Sequence, residues 1–309
     1  MAQIDILMAV YNGERYVAQQ IDSILAQHFQ DWRLVIQDDC SSDRTPEICE
    51  GYAQKYPDKI VYSRLAANTG AADRNFYSLM KKAEAPYIMF SDHDDVWLSD
   101  KVGDTLAKMR ELEQQYGAEA PLLVHTDLTV AEESLNVRAG SMMKLQKLNP
   151  QPSFAQLVVQ NMVTGCTVMV NRCLLARLGS PPQHAVMHDW WMALIAGAMG
   201  GIGYVDKPTI LYRQHGNNEV GAKDAASLSY CGSRLKDREG ARKVLLDTCV
   251  QAEEFLQRYG GDLEESQRRM LAAYSRLPEQ SKARRIAILA RYGLWKYGVV
   301  RKIGQICFI

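Results

Sequence analysis

Short apolar runs alternate with stretches of helical period between residues 4 and 90, and few folds accommodate that pattern. Ile4–Val10 is apolar almost throughout, the mark of a strand buried on both faces. Val17, Ile21, Ile24 and Leu25 then recur at helical spacing. Residues 34–36 form a second apolar run that stops at Asp38-Asp39. Thr45-Pro46 opens the next helix with a capping hydroxyl and a first-turn proline, and Pro57 lies beyond its far end. Residues 60–62 give a third strand; Phe76, Leu79, Met80 and Ala83 mark a helical face; residues 87–90 give a fourth strand, ending at Ser91-Asp92. The alternation predicts an α/β fold with an open, mostly parallel sheet flanked by helices, whose ligands bind at the carboxyl ends of the strands. Those ends carry Tyr11-Asn12, Asp38-Asp39 and Asp92-His93-Asp94.

Beyond about residue 100 the pattern is mixed. Residues 122–130 and 164–170 read as strands, 190–199 as a helix running into a strand, and 209–212 as a further strand. After about Ala222 only helical patterning remains, so the expected division is a domain over 1–222 and a helical appendage over 223–309. At 309 residues and 47% hydrophobic content the chain can build a substantial core. A formal net charge of zero gives no global reason to expect nucleic acid as a partner. Seven scattered cysteines without a C-x-x-C pair fit a reduced, cytoplasmic protein, and the N-terminus lacks the basic and apolar regions of a signal peptide.

No G-x-G-x-x-G follows the first strand, and no phosphate-binding G-x-x-x-x-G-K-[ST] occurs. A nucleotide diphosphate bound here therefore needs a metal to neutralise it. Asp92-His93-Asp94-Asp95 supplies the means, since three carboxylates in four residues repel one another unless a cation compensates, and oxygen ligands suit Mg²⁺ or Mn²⁺. The competing reading is a polar loop in which Asp95 or Ser99-Asp100 caps the next helix. Asp38-Asp39 can accept the N3–H of uracil or thymine, or can simply build an Asx-rich turn with Ser41-Ser42-Asp43.

Taken together these residues resemble a family-2 glycosyltransferase of the GT-A fold, within it the bacterial rhamnosyltransferase-like branch. The resemblance rests on Ala9-Val10-Tyr11-Asn12-Gly13-Glu14-Arg15-Tyr16, Gln37-Asp38-Asp39-Cys40-Ser41-Ser42-Asp43 and Asn68-Thr69-Gly70. It continues through Asp92-His93-Asp94-Asp95-Val96-Trp97, His188-Asp189-Trp190-Trp191 and Tyr212-Arg213-Gln214-His215-Gly216-Asn217-Asn218. His93 stands where the branch usually has glutamine. The resemblance implies that Tyr11 stacks near the pyrimidine, with Asn12 and Asn68 at the donor site. It implies that Asp39 bonds the pyrimidine N3–H with Asp38 nearby, and that Asp92 approaches the ribose beside His93. By the same resemblance Asp94 holds the metal, His215 is a second ligand and Asp189 is the general base. Read without it, Asp189 is a helix N-cap and His215 a surface or hydrogen-bonded histidine. Trp97, Trp190 and Trp191 read as core or as acceptor-site walls.

The expected reaction is inverting transfer of a sugar from a dTDP or UDP donor, first dTDP-L-rhamnose, to a glycan or lipid-linked acceptor. A nucleotidyltransferase is the rival, but Tyr11 to Arg15 is not its glycine-rich basic loop. Residues 281–309 carry seven basic side chains and no acidic one, interleaved with aliphatic and aromatic residues. Such a segment reads as a membrane-surface element, which places the protein peripherally on the inner face of the cell membrane, or else as a packing or dimer contact.

Overall fold

The structure, a computed structural model, describes residues 2–216 and 238–309. They fall into two compact units, each described separately here. The first draws on residues 1–142, 164–179 and 201–221; the second on 143–163, 180–200 and 222–309. The expected boundary at 222 lies outside the described residues, and the second unit takes two earlier segments of the chain besides the C-terminal helices.

The first unit is built on one sheet. Strands β1 (Ile4–Val10), β2 (Trp32–Asp38), β3 (Ile60–Arg64) and β4 (Tyr87–Ser91) are parallel and lie in the order β3-β2-β1-β4. The sheet continues from β4 through β8 (Met169–Asn171), β6 (Leu122–Glu132), β9 (Gly201–Gln214) and β5 (Val96–Trp97), with β7 (Val137–Ala139) beside β6. This half is mixed: β6 and β9 are parallel, whereas β8 and β5 run antiparallel to their neighbours. Helices α1 (Val17–Leu25), α2 (Thr45–Lys55) and α3 (Ala72–Met80) connect the parallel strands, and α4 (Lys101–Tyr116) packs on β6 and β9.

Every residue of β1 is buried, which is why the run is apolar. Asp5 is the exception. Its carboxylate accepts Arg33 Nε and Nη2 at 2.9 and 3.0 Å and the backbone N–H groups of Glu84 and Ala85 at 2.6 and 3.0 Å. Burial alone would raise its pKa, but these partners together hold it below the usual carboxylate value.

Two expectations need correction. Residues 164–170 are not one strand: a 3₁₀ turn occupies Gly165–Thr167, where Thr167 Oγ1 donates to Thr164 O at 2.6 Å, and only Met169–Asn171 is extended. The run at 209–212 is the end of one 14-residue strand, β9, whose pairing with β6 shifts register where Asp127 meets Pro208.

A one-turn helix, α5 (Met142–Leu145), stands where the chain passes into the second unit, and α7 (Arg172–Leu178) belongs to the first. The second unit comprises α6 (Phe154–Val159), α8 (His188–Met199), α9 (Arg238–Tyr259), α10 (Glu265–Ser275), α11 (Lys282–Tyr292) and α12 (Val299–Phe308). Trp191 meets Phe255 edge-on at 5.4 Å between centroids and Tyr259 at 6.2 Å, and each such buried ring contributes roughly 1.5–3 kcal/mol. The same helix face fastens the segment before α8. Gln251 Oε1 accepts from Val186 N, Glu254 from Gln183 and His184 N, and Arg258 donates to the carbonyls of Ser180 and Pro181. Trp97, Trp190 and Trp191 are all buried, so they serve as core.

Candidate active site

Parallel strands bring the carboxyl ends of β2, β1 and β4 side by side, and the loops that leave them interlock. Asn12 sits at φ +48°, in the left-handed region that asparagine tolerates. Its N–H donates to Ser41 Oγ and its side-chain oxygen accepts from Ser42 N, both at 2.9 Å. Gly13 N donates to Thr45 Oγ1 at 2.7 Å, so that hydroxyl is not the helix cap expected of it; Asp43 Oδ1 accepts from Thr45 N instead. Asn12 thus joins two loops, while Tyr11 before it remains 48% exposed.

The two aspartates after β2 have different environments. Asp38 is fully buried: Oδ1 accepts from Ser41 N (3.0 Å) and Ser41 Oγ (2.5 Å), and Oδ2 from Tyr62 Oη (3.2 Å), with Arg64 Nε 3.5 Å away. These partners tie Asp38 into the loop beside Asp39. Asp39 accepts from Thr69 N at 2.8 Å on one oxygen and from Thr69 Oγ1 at 2.7 Å on the other. Each oxygen keeps a further lone-pair direction. Asn68 spends both halves of its amide locally, donating to Asp39 O at 3.0 Å and accepting from Gly70 N at 2.6 Å.

The acidic loop after β4 is held by Ser91, whose hydroxyl accepts from Gln20 Nε2 and donates to Asp92 O, both at 2.8 Å. The His93 ring lies so close over Gly13 that a Cβ at residue 13 would collide with it. Asp94 Oδ2 stands 2.8 Å from His215 Nε2, and the His215 ring stacks on Tyr16 with centroids 4.9 Å apart and planes at 24°. Arg213 binds these parts together: Nε donates to Asp94 O (2.7 Å), Nη2 to Gln19 Oε1 (2.6 Å), Nη1 to Glu133 O, and its backbone N to Asp95 Oδ1 (3.1 Å). Its guanidinium lies 4.8 Å from the centre of the Tyr16 ring, and Tyr16 Oη donates to Glu133 Oε1 at 2.6 Å.

Asp95 is wholly buried, and its carboxyl is pushed well above the usual range by burial first and then by Asp94 and Asp92. Three carboxylates are thus crowded into this loop, two of them adding to the shift on the third. Lys101, also wholly buried with its ammonium 4.7 Å from the Trp97 ring centre, is drawn down to about 8 by burial, an effect that Cys166 and Asp95 oppose. Of the cap candidates, Asp100 occupies the N-cap position of α4 without a side-chain cap bond, while Asp95 turns to Arg213 N.

Among the described residues two ligand sets are available here. Ligand atoms of Asp92, Asp95 and Cys166 lie within 4.8 Å of one another, but burial and both carboxylates push the Cys166 thiol well up. A protonated, soft ligand does not fit Mg²⁺ or Mn²⁺. Asp94 and His215 fit better: a carboxylate oxygen and an imidazole nitrogen already meet, and nitrogen favours Mn²⁺ over Mg²⁺.

Asp189 lies in the second unit, in the first turn of α8, 6% exposed. It is not the N-cap, which is Met187. Its Oδ1 accepts from Trp190 N at 2.6 Å and from Asn161 Nδ2 at 3.1 Å, and the helix N-terminus favours its negative charge. Its neighbour His188 is held neutral, drawn down to about 3 by burial. Asn217 and Asn218, the end of the last motif, lie outside the described residues.

The family profile described as Glycosyl transferase family 2 matches residues 5–118, from β1 to just past the end of α4. The dTDP-rhamnosyl transferase RfbG of Shigella flexneri is 30% identical over 236 residues, 72% of this chain and 76% of the relative. The chain belongs to glycosyltransferase family 2. Among solved structures, TarS of Staphylococcus aureus in complex with UDP-GlcNAc superposes with a TM-score of 0.58 at 18% identity, covering 94% of this chain and 80% of that one. The mannosyltransferase PcManGT of Pyrobaculum calidifontis, in complex with GDP-Man and Mn²⁺, gives 0.53 at 15% identity, over 99% and 84%. The fold of this glycosyltransferase is GT-A, with helices following at the C-terminus.

Sequence reasoning named Asp94 and His215 but missed what holds them. Tyr16 and Arg213 lay inside the quoted motifs as unremarked members, and an aromatic and a basic residue next to metal-ligand candidates was the available signal. Glu133, beyond the end of β6, carried no signal at all.

Proposed function

We propose that this glycosyltransferase moves L-rhamnose from dTDP-L-rhamnose to a hydroxyl of a bacterial surface glycan or lipid-linked acceptor, with inversion and with a divalent ion. The observation that carries the reading is the 2.8 Å approach of His215 Nε2 to Asp94 Oδ2, beside the strand ends that bear Tyr11 and Asp39. Asp94 and His215 would hold Mn²⁺ or Mg²⁺, which when bound neutralises the leaving diphosphate. Arg213 and Tyr16 fix those two ligands, and His93 packs the acidic loop against Gly13.

Tyr11 offers its ring to the base, and Asp39 accepts its N3–H. Asp92 approaches the ribose. Asp189 takes the proton of the acceptor hydroxyl as the new bond forms, and a single displacement inverts the anomeric carbon. The rhamnosyl donor is supported by the likeness to RfbG. UDP-hexoses are the second reading, because uracil presents the same N3–H and TarS holds UDP-GlcNAc. A peripheral seat on the cytoplasmic membrane surface goes with a lipid-linked acceptor and with the basic segment at 281–309.

The test is a panel of nucleotide-sugars with Mn²⁺, read by thermal stabilisation and by turnover. Stabilisation by dTDP-L-rhamnose should vanish on chelation. Asp94→Asn should fold yet lose turnover by ~10²–10³-fold, the scale of several kcal/mol of leaving-group stabilisation. Full turnover in excess EDTA would sink the metal assignment, and stabilisation by a UDP-hexose alone would replace the donor.

A further inference from the structure

Helix α12 (Val299–Phe308) packs the wrong way round for a soluble surface. A helix on a water-facing surface buries its apolar stripe and exposes its polar one. Here Gln305 is buried at 8% exposure, its Nε2 donating to Leu294 O and its Oε1 accepting from Lys296 N, both at 2.9 Å. The outer face instead holds Val299 at 75%, Val300 at 53% and Ile303 at 56% exposure. At 100° per residue these three fall within one arc of about 100°. Tyr297, 39% exposed, precedes them, and the half-buried Trp295 lies under Lys302, whose Nζ is 4.8 Å from its ring centre.

We infer that α12 is a membrane wedge: Val299, Val300 and Ile303 enter an anionic lipid surface while Lys302 and its basic neighbours meet the headgroups. The apolar arc calls for a nonpolar medium, and the charge says which one. The segment 281–309 carries seven basic side chains and no acidic one, so its complement is a negatively charged sheet. Tyrosine and tryptophan beside the arc are the residues that settle at a bilayer's polar boundary. The helix spans only about 15 Å, and among the described residues no helix is long and apolar enough to cross a membrane, so α12 lies in the surface. The wedge rests on the membrane seat proposed above and names the residues that make it.

The fold supplies the anchorage a wedge needs. Gln305 ties α12 to the turn before it, Arg301 Nη1 donates to Lys147 O at 3.2 Å, and Tyr297 N donates to Gln160 Oε1 at 2.9 Å. All of these partners belong to the second unit, so its body would be carried to the surface with the helix.

The experiment is co-sedimentation of the full chain with phosphatidylglycerol–phosphatidylcholine vesicles and with phosphatidylcholine alone. Wild type should bind the anionic vesicles, more weakly as salt rises, and bind the neutral ones far less. Ile303→Ser should weaken binding roughly tenfold and Lys302→Gln about fivefold, with melting temperatures unchanged because both positions face outward. Equal binding by Val299→Ser/Ile303→Ser and wild type would overturn the wedge. So would loss of a dimer in those variants without loss of vesicle binding, which would make the arc a contact between copies. Transfer to a water-soluble acceptor separates the two proposals: a chain that transfers sugar but ignores vesicles refutes only the wedge, and one that binds vesicles without using any donor refutes only the function.

Discussion

Asp39→Asn isolates the contact expected to choose the base. In the wild type Asp39 accepts from Thr69 N at 2.8 Å and from Thr69 Oγ1 at 2.7 Å. Asparagine can keep both. Its oxygen accepts from Thr69 N, and its amide donates to Thr69 Oγ1, whose hydroxyl proton turns to Ala71 O at 3.0 Å. Loop 68–71 should therefore stay in place, and stability should change by no more than about 1 kcal/mol. The pyrimidine loses more. If N3–H meets the oxygen that survives, a charged acceptor becomes a neutral one, at a cost of about 1 kcal/mol or roughly fivefold in affinity. If it meets the atom that becomes an amide, two donors face each other and the whole bond of about 1.5–3 kcal/mol is lost, roughly ten- to a hundredfold. Calorimetry with dTDP, UDP and GDP, paired with melting curves, measures both quantities. Unchanged dTDP affinity in a folded Asp39→Asn chain would refute the contact. Equal affinity of the wild type for GDP would refute pyrimidine selection, since guanine also carries a ring N–H.

Asp189→Asn retains an oxygen for Trp190 N and Asn161 Nδ2, so it should melt as wild type and bind donor normally, yet lose transfer by ~10²–10⁴-fold; NMR of the wild-type product should show an inverted anomer, and retention would count against the single displacement. Asp5 makes stability depend on acid. Its folded pKa lies below its unfolded value, so its contribution is complete above about pH 4 and disappears as pH falls through the folded pKa. Asp5→Ala should cost about 3 kcal/mol at pH 7 and flatten that acid limb; a urea-melt series with parallel limbs would show the carboxylate to be idle.

The parallel half of the sheet was legible because strands buried on both faces have nowhere to hide polar residues, so Ile4–Val10 and Tyr87–Ser91 stand out. Acidic clusters stood out in turn because they end such runs. Asp5 was hidden, since its solution is an arginine on the next strand and two backbone N–H groups after α3. β9 was read as two strands, one following the helix at 190–199 and one at 209–212, because Asp206-Lys207-Pro208 interrupts the apolar pattern where the ladder with β6 shifts. Individual ligand candidates could be named from local motifs. Their mutual support could not, because Tyr16, Glu133 and His215 come from three distant parts of the chain and meet only in the fold. The orientation of α12 was equally invisible: its periodicity announced an amphipathic helix but not which stripe faces inward.

β9 also sets an order of assembly. Ribosomal synthesis releases the loops proposed to bind the base early, since Tyr11, Asp39 and Thr69 all lie within the first three parallel strands and their connections. Their packing is completed by β4, which pairs with β1, and by the His93 ring over Gly13. Strand β5, by contrast, has β9 as its only sheet neighbour among the described residues, and Arg213 and His215 arrive at or just beyond β9's far end. Until that strand slides in between β6 and β5, the acidic loop has neither its arginine brace nor its histidine. A nascent chain thus completes the loop around Asp39 before it can form the Asp94–His215 pair, whose histidine follows β9.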